Sequence, residues 1–371
     1  MASLLAGRSD VISLPLQNPS IRIAYEKKPG SLIDLIESKR SHQTVFIDEV
    51  QKVPELLDAA QYLIDEKKAN FILTGSSARK LRKAGANWLP GRVKLFHMDP
   101  LLWGEMGWSK SHYCKELSMP DFGKESGSSY MDALIYGTLP GIPASGRDVD
   151  AGDYLRSYAT LYLEEEIRAE AATRKVAEFS NFLELAAHES GTSPNLSKLS
   201  MEVGVSVPTV KEYYTILEDT LVAERVEPYL KNARKRMLAT PRYYFFDIGV
   251  RNAMASMPMD PQASQANKGQ LFEHFVMLEI IRRVRAMRKN WKVRFWRTAG
   301  GAEVDCVVDM GTKVIPIEIK SSQSVRKADL KGLVNFLAEY PEASNTGYVI
   351  TQGRNTERVA ENIVAVPWDQ F

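Results

Sequence analysis

The chain has 371 residues, of which 44% are hydrophobic and 25% are charged, and its formal net charge is +2 at pH 7. This length accommodates two or three domains, the composition excludes extensive disorder, and no stretch approaches the ~20 apolar residues that span a bilayer. The two cysteines, Cys114 and Cys306, stand far apart and match neither a zinc nor a redox spacing, so the sequence predicts a cytoplasmic protein without a membrane partner.

In the first part of the chain, residues 1–115, predicted helices and strands alternate. SLIDLIES is amphipathic, TVFIDE is an apolar strand, ELLDAAQYLIDEKK is a helix, and NFILTGSS is a second apolar strand. Alternation of this kind indicates a parallel sheet covered by helices. We therefore predict an α/β domain over this range.

Polar side chains follow both of these apolar strands. Asp48 and Glu49 stand where the first strand ends, and Thr74 and Ser76 end the second. Open parallel sheets bind ligands at the carboxyl ends of their strands. There a carboxylate can hold Mg²⁺, a neighbouring acid can activate water, and a hydroxyl can contact a γ-phosphate. The alternative is that the two acids only cap the helix that begins near Pro54.

Residues 116–235 form a predicted helical region with the layout of a helix-turn-helix. One helix runs through Met201, GVS forms the turn, and a second helix begins at Pro208 with Ser206 as its N-cap. The β-like run LVAERVEP follows, as a wing would. The second helix carries Lys211 as its one cation, so contact with DNA and a purely structural or protein-contact role both remain open.

The last part of the chain, residues 236–371, predicts a separate α/β domain. Side chains alternate along the strand VIPIEIK, so Glu318 and Lys320 share one face while three isoleucines pack on the other. Asp305 lies on the preceding strand, and Glu273 lies on the upstream helix GQLFEHFVMLEII. These side chains are predicted to meet at one site.

A helix glutamate, a strand aspartate and an E-x-K on the neighbouring strand form the constellation of PD-(D/E)XK nucleases. Glu273, Asp305 and Glu318 are candidate Mg²⁺ ligands with hard oxygen atoms. Lys320 is the residue expected to orient or activate water and to stabilise charge that develops on a phosphate. The alternative is an ordinary charged rim, because an isolated D-x(12)-E-x-K is common.

A basic tract runs from Ile280 to Arg297, with eight cations, no acid, and Trp291, Phe295 and Trp296 interleaved. Cations that neutralise phosphates and rings that stack on bases are what a nucleic-acid groove needs. Nucleic acid is therefore a predicted partner. The alternative is a surface helix whose long side chains cover apolar ground, followed by an edge strand.

The runs FIDEVQKVPELL, FILTGSSARKL, LPGRV and MDPLLWGEM occur in the order and spacing of a prokaryotic AAA-type ATPase family, whose members join an ATPase core to a C-terminal domain of unknown function. The chain resembles this family over nearly its whole length. The resemblance implies that Asp48 and Glu49 are Walker B acids, that Thr74 or Ser76 is the sensor, and that Arg92 is an arginine finger. ATP-Mg is the implied cofactor of full-length relatives.

The resemblance also implies a winged helix in the middle region and a C-terminal domain similar to restriction-endonuclease-like folds. The predicted fold class is therefore α/β, with three parts. These are an incomplete P-loop NTPase-like parallel sheet, a helical winged-helix middle, and a restriction-endonuclease-like α/β domain at the C-terminus.

One element of the family pattern is absent. The Walker A loop, G-x-x-x-x-G-K-[ST], supplies the amides and the lysine that cradle the phosphates, and no such string occurs in the sequence. We expect an N-terminally truncated relative that does not hydrolyse ATP alone, with a C-terminal domain that cleaves or binds nucleic acid with Mg²⁺. The alternative is a non-catalytic interaction module with two vestigial sites. Self-association or a protein partner is compatible with both.

Overall fold

The computed structural model of the chain describes residues 10–39, 41–75, 91–120, 122, 127–144, 151–170, 176–230 and 239–371, and within 162–170 it describes the backbone alone. The chain divides into two compact units. The first unit comprises residues 1–96 with 219–221, and the second comprises residues 97–218 with 222–371. None of the described helices combines the length and the apolar composition needed to cross a bilayer.

The first unit contains a parallel sheet of three described strands in the order β1-β2-β3, as the alternating pattern predicts. The strands are β1 (Val11–Pro15), β2 (Gln43–Asp48) and β3 (Ala69–Leu73), and the helices are α1 (Pro19–Lys27), α2 (Ser31–Glu37) and α3 (Leu56–Asp65). Val45 and Ile47 of the central strand are fully buried against Leu56 and Leu63 of α3. Burial of this strand between its neighbours explains its near-continuous apolar sequence.

The described helices of the second unit are α4 (Tyr130–Tyr136), α5 (Gly141–Ala144), α6 (Ala151–Glu170), α7 (Val176–His188), α8 (Leu196–Val203), α9 (Val207–Asp219), α10 (Ile248–Met254), α11 (Pro261–Ala266), α12 (Lys268–Ala286) and α13 (Lys331–Glu339). Helices α8 and α9 confirm the predicted pair around the GVS turn. The Oγ atom of Ser206 accepts a hydrogen bond from the Thr209 amide at 3.3 Å, so the predicted N-cap is confirmed as well.

Eight described strands of the second unit form one mixed sheet in the order β10-β11-β9-β8-β7-β6-β4-β5. They are β4 (Ala223–Pro228), β5 (Arg242–Phe245), β6 (Lys292–Arg297), β7 (Glu303–Asp309), β8 (Val314–Ile319), β9 (Gly347–Thr351), β10 (Glu357–Ala360) and β11 (Ile363–Pro367). Helix α12 covers one face of the sheet and α13 covers the other.

The unit boundaries differ from those expected from the sequence. The boundary expected near residue 115 lies at residue 96, because Trp103 is buried and stacks on Phe275 of α12, with ring centroids 4.9 Å apart. The boundary expected near residue 235 falls inside a hairpin, since β4 pairs with β5. Strand β4 also pairs with β6. The segment predicted to follow the helix pair as a wing is this internal strand, which joins the helical region to the C-terminal sheet.

Candidate functional site

The carboxyl ends of β2 and β3 bring Asp48 and Thr74 together. Thr74 Oγ1 donates a hydrogen bond to Asp48 Oδ1 at 2.6 Å and accepts one from the Glu49 amide at 3.2 Å. This contact follows from the parallel register, in which Ile47 lies opposite Leu73. The arrangement places two acids and a hydroxyl at one edge of the sheet, where parallel sheets bind ligands.

Glu49 adopts a left-handed backbone conformation, with φ 61° and ψ 48°, which is uncommon outside glycine. Its Oε2 atom accepts a hydrogen bond from Gln51 Nε2 at 2.6 Å. Strained residues of this kind cluster at functional sites. The alternative role as a helix cap is wrong, because α3 begins at Leu56 after Glu55 and has no side-chain cap.

The structure does not bring Arg92 to this edge. Its guanidinium pairs with Asp65, with Nε 2.5 Å from Oδ1 and Nη2 3.1 Å from Oδ2. Asp65 ends α3, which runs back from the carboxyl end of β2 toward the start of β3, so the ion pair lies near the amino-terminal edge of the strands. The assignment of Arg92 as an arginine finger stays a prediction. Ser76 lies outside the described residues.

A second site lies where β7 and β8 separate. These strands pair from Asp309 opposite Val314 to Cys306 opposite Ile317, and the ladder ends there. The next residue, Asp305, is only 8% exposed, and its Oδ2 atom accepts the Ile319 amide at 2.8 Å. The Asp305 carboxylate thus accepts the Ile319 N–H group, which a continued ladder would have paired with a backbone carbonyl of β7. This hydrogen bond fixes the carboxylate between the two strands.

A β-bulge aims the Asp305 side chain. Asp305 and Cys306 together oppose the single residue Phe295 of β6, and such a bulge bends the strand and redirects its side chains. Cys306 packs in the core beneath α12, whereas Val304 and Val307 pack with α13. Simple alternation of side chains along β7 therefore fails at Asp305.

Glu318 and Lys320 follow the predicted alternation of β8. The isoleucines at 315, 317 and 319 pack in the core beneath α12, so Glu318 leaves the strand toward the opposite face. Lys320 Nζ donates to Glu318 Oε1 at 2.6 Å. Glu318 is 7% exposed, and its Oε2 atom is buried without a hydrogen-bond partner. A buried carboxylate oxygen without a partner is costly and suits a bound cation.

Glu273 lies on the second turn of α12 and is held by two residues of β5 that sequence reasoning missed. Its Oε1 atom lies 3.5 Å from Arg242 Nη1 and accepts a hydrogen bond from Tyr244 OH at 3.2 Å. Arg242 also pairs with Glu303 of β7. One feature of the sequence could have indicated these two residues. Arg242 and Tyr244 are two positions apart in the strand RYYF, and this spacing puts both side chains on one face.

The carboxylates act on one another electrostatically. Burial raises the pKa of Glu273 to about 7, with a further rise from the Asp305 charge, against the effects of Arg242 and Tyr244. Burial likewise raises the pKa of Glu318 to about 8, assisted by Asp305 and opposed by Lys320. Each shift reports a carboxylate that lacks enough compensating positive charge. The charges of Asp305 and Lys320 therefore influence both buried glutamates.

The chemistry of these residues fits a hard divalent cation, which prefers carboxylate oxygen ligands. However, the described residues include no group of three His, Cys, Asp or Glu side chains that is in place to hold a metal ion. Glu273 is engaged by Arg242 and Tyr244, and Glu318 is engaged by Lys320. The role of Asp305, Glu318 and Glu273 as metal ligands stays a prediction.

The basic tract from Ile280 to Arg297 is divided between buried and exposed cations, with Arg288, Lys289, Lys292 and Arg297 exposed, and its role as a nucleic-acid groove stays a prediction. Arg282 is buried and donates to Thr138 Oγ1 at 2.9 Å, and Arg283 is buried in an ion pair with Glu279 at 2.7 Å. The two large rings of β6, Phe295 and Trp296, are also buried. These rings have no open face on which a base can stack.

The surface-helix alternative for this tract is wrong. Helix α12 is buried around most of its circumference, and β6 is an internal strand. Arg285 pairs with Asp99 and Glu224, and Arg294 pairs with Glu227 and Asp309. The sequence pattern misleads here because these acidic partners lie outside the tract.

The helix-turn-helix offers an open groove of about 480 Å³, formed by the start of α8, the start of α9 and Thr240. Among the described residues that line it, Lys211 is the charged one. Contact with DNA at this position stays a prediction.

Family models match three parts of the chain. An AAA domain matches residues 1–107, one domain of unknown function (DUF8612) matches residues 127–261, and another (DUF4143) matches residues 268–371. The N-terminal match agrees with the placement of Asp48, Glu49 and Thr74 at one sheet edge. It supports an AAA-type ATPase-like family.

Two uncharacterized mycobacterial proteins are similar to this chain, Rv2008c of Mycobacterium tuberculosis and Mb2031c of Mycobacterium bovis. Each is 25% identical over 335 residues, which cover 88% of this chain and 69% of the relative. A solved structure of Can2 from Sulfobacillus thermosulfidooxidans in complex with cyclic tetra-adenylate covers 91% of this chain and 92% of that chain at 8% identity. Its TM-score is 0.21, and at that value the likeness carries no argument.

Proposed function

We propose that the chain is an AAA-type ATPase relative whose second unit binds a divalent cation and cleaves phosphodiester bonds in nucleic acid. One observation carries this proposal. Asp305 accepts the Ile319 amide where β7 and β8 separate, between the paired residues Glu318 and Lys320, and a buried oxygen of Glu318 lacks a hydrogen-bond partner. Two acids and a lysine at such a break suit the charge changes of phosphodiester cleavage better than they suit a structural sheet rim.

Each residue has a distinct role in this proposal. Asp305 and Glu318 hold the cation, and Glu273 completes its ligand set. When bound, Mg²⁺ supplies Lewis acidity toward a phosphate oxygen and acidity to its water. Burial lowers the pKa of Lys320, but the charges of Asp305 and Glu318 outweigh that effect and the pKa is raised overall. Lys320 therefore remains an ammonium that stabilises negative charge on the phosphate rather than a base.

The first unit is proposed to retain the acidic half of a nucleotide site. Asp48, Glu49 and Thr74 provide groups for Mg²⁺ and a γ-phosphate. Because the sequence contains no Walker A string, the main phosphate contacts are missing, and we expect no ATP hydrolysis by this chain alone. A saturable ATP-binding isotherm accompanied by steady phosphate release would overturn that part.

The nuclease proposal is tested with DNA and RNA in single- and double-stranded forms, each with Mg²⁺ and with Mn²⁺. The wild type is expected to cleave at least one of them. Asp305→Asn removes the charge with little change of shape, and we expect at least a ~100-fold loss of rate. The matched control is Asp309→Asn, at the other end of the same strand, which should retain activity. Absence of cleavage of every substrate would end the proposal.

The ion pair between Arg242 and Glu273 favours one alternative, a non-catalytic interaction module in which both acidic sites are vestigial. This alternative and the nuclease proposal predict different results for the wild type. The wild type would then show neither saturable Mn²⁺ binding nor cleavage. Its function would instead be visible as self-association or binding of a protein partner, measured by light scattering.

A further inference from the structure

We infer that Arg242 is a positioning residue that sets the affinity of the carboxylate site for a divalent cation. Arg242 pairs with Glu273, and the cation binds as this ion pair opens. The inference rests on the proposed function only in that these acids take up a cation. It assigns to Arg242 a role that the sequence pattern of the site does not contain.

Arg242 is built into the site rather than lying on its surface. Arg242 is only 7% exposed. Its guanidinium lies over the Phe295 ring, 4.6 Å from the ring centroid. The Nη1 atom faces Glu273 Oε1 at 3.5 Å. That oxygen also accepts the Tyr244 hydroxyl. The same carboxylate oxygen is thus engaged by two groups that a metal ion must displace.

Arg242 makes two ion pairs that differ in geometry. The contact with Glu273 is longer than a hydrogen bond, and the buried Nη1 atom makes no hydrogen bond at all. The Nη2 atom makes the close pair with Glu303. Glu303 is half-buried and also lies 3.7 Å from Arg297. The looser contact is the one that opens, and Glu303 keeps the arginine paired afterwards.

Arg242 and a divalent cation compete for Glu273 because both are positively charged and both need the same carboxylate. A guanidinium and a divalent ion repel each other at short range in a buried site, where water screens little. Glu273 can neutralise either of them, but its shared oxygen cannot serve both. This competition also explains why three acids that interact electrostatically are not arranged as a ready ligand set.

The experiment measures Mn²⁺ affinity of the full chain by isothermal titration calorimetry, with folding checked by metal-free thermal unfolding. Arg242→Gln removes the competing charge, and we expect Mn²⁺ to bind about tenfold more tightly. Arg242→Lys keeps the charge but cannot bridge two carboxylates, so its affinity should lie between wild type and Arg242→Gln. Arg242→Lys tests the inference if Arg242→Gln does not fold.

Two controls separate this effect from general changes of charge or packing. Arg294→Gln removes another largely buried arginine of the same sheet that pairs with two acids, and Arg297→Gln removes an exposed cation beside Glu303. Both should leave Mn²⁺ affinity within about twofold of wild type.

Opposite changes in two variants give the sharpest result. Glu303→Gln removes the second anchor of Arg242 and leaves it on Glu273, so this variant should bind Mn²⁺ more weakly than wild type. Tighter binding by Arg242→Gln together with weaker binding by Glu303→Gln supports the inference. Unchanged or weaker binding by folded Arg242→Gln, while wild type binds Mn²⁺, overturns the inference and leaves the proposed function standing. Absence of binding in both proteins overturns the two together.

Discussion

The two acidic sites carry the same sequence signal, acids at or near the end of an apolar strand, yet they differ in how the fold treats those acids. Asp48 and Glu49 are half-buried at the rim of a parallel sheet, next to Thr74 and Gln51. Asp305 and Glu318 are buried between separating strands. Burial raises the pKa of Glu318 to about 8, so it costs energy to ionise there. The comparison teaches that depth, rather than residue type, decides which acids are poised to take up a cation.

The largest expected effect is on stability, and it comes from breaking a buried ion pair in the second unit. Arg283 and Glu279 form an ion pair in which each side chain is 2% exposed, and Glu279 Oε2 also accepts the Trp103 amide. Glu279→Gln leaves the Arg283 charge without a counter-charge and should reduce the free energy of unfolding by about 3–5 kcal/mol. Urea unfolding followed by tryptophan fluorescence measures it.

The matched control for that variant is Asp65→Asn in the first unit, which breaks the partly exposed pair with Arg92. Its cost should be much smaller than that of Glu279→Gln, because solvent screens an exposed pair, and hydrogen exchange of residues 56–73 measures it. Equal costs for the two variants would remove the distinction between the regions.

The next effect concerns the proposed chemistry of the second site. Lys320→Met removes the ammonium beside Glu318, and cleavage should fall by about 10²–10³-fold because charge on the phosphate loses its stabilisation. Mn²⁺ affinity should be unchanged or tighter, since a competing cation is gone. Lys313→Met, just before the same strand, is the control. A loss of metal affinity without a loss of turnover would contradict the assigned role.

A third effect is a pH dependence in the second unit. Burial lowers the pKa of His274 to about 3, and its Nε2 atom lies 2.8 Å from the Phe245 carbonyl oxygen. The unfolded chain therefore takes up a proton below pH 6.5 that the folded chain does not. Stability is complete above that pH and is lost as the pH falls, by about 2 kcal/mol at pH 5.

His274→Gln cannot titrate and is the matched variant for this dependence. The difference in unfolding free energy between wild type and variant should therefore shift in favour of the variant between pH 6.5 and pH 5. Glu273 and Glu318, whose pKa values are raised, act in the opposite direction in both proteins and cancel in this difference. A pH-independent difference would show that His274 titrates equally in the folded and unfolded chains.

The smallest effect is expected at the rim of the first unit. Thr74→Val removes the hydroxyl that donates to Asp48 and accepts from the Glu49 amide, at an expected cost of about 1 kcal/mol. Faster amide exchange in residues 46–50 is the measurement, and Thr44→Val on β2, the strand that ends at Asp48, is the control. Exchange as slow as in wild type would mean that the hydroxyl does not fix the two acids.

Much of the fold was predictable because its signals are local. The alternation of helices and apolar strands in the first unit, the helix pair around GVS with its Ser206 cap, and the burial of the three β8 isoleucines all follow from the spacing of neighbouring residues. In the second site, the alternation that separates Glu318 from those isoleucines was predictable for the same reason. Periodicity over a few residues is enough to fix such features.

The sequence by itself therefore determined the elements and the candidate acids. Only the tertiary structure decided that Arg282, Arg283 and Arg294 of the basic tract are buried. It also decided that a bulge aims Asp305 and that Arg242 and Tyr244 hold Glu273. The physical reason is distance along the chain. Arg282 meets Thr138 across 144 residues, and Trp103 meets Glu279 across 176. No local pattern specifies such partners, and burial and counter-charges, which set the chemistry of an acid, depend on them.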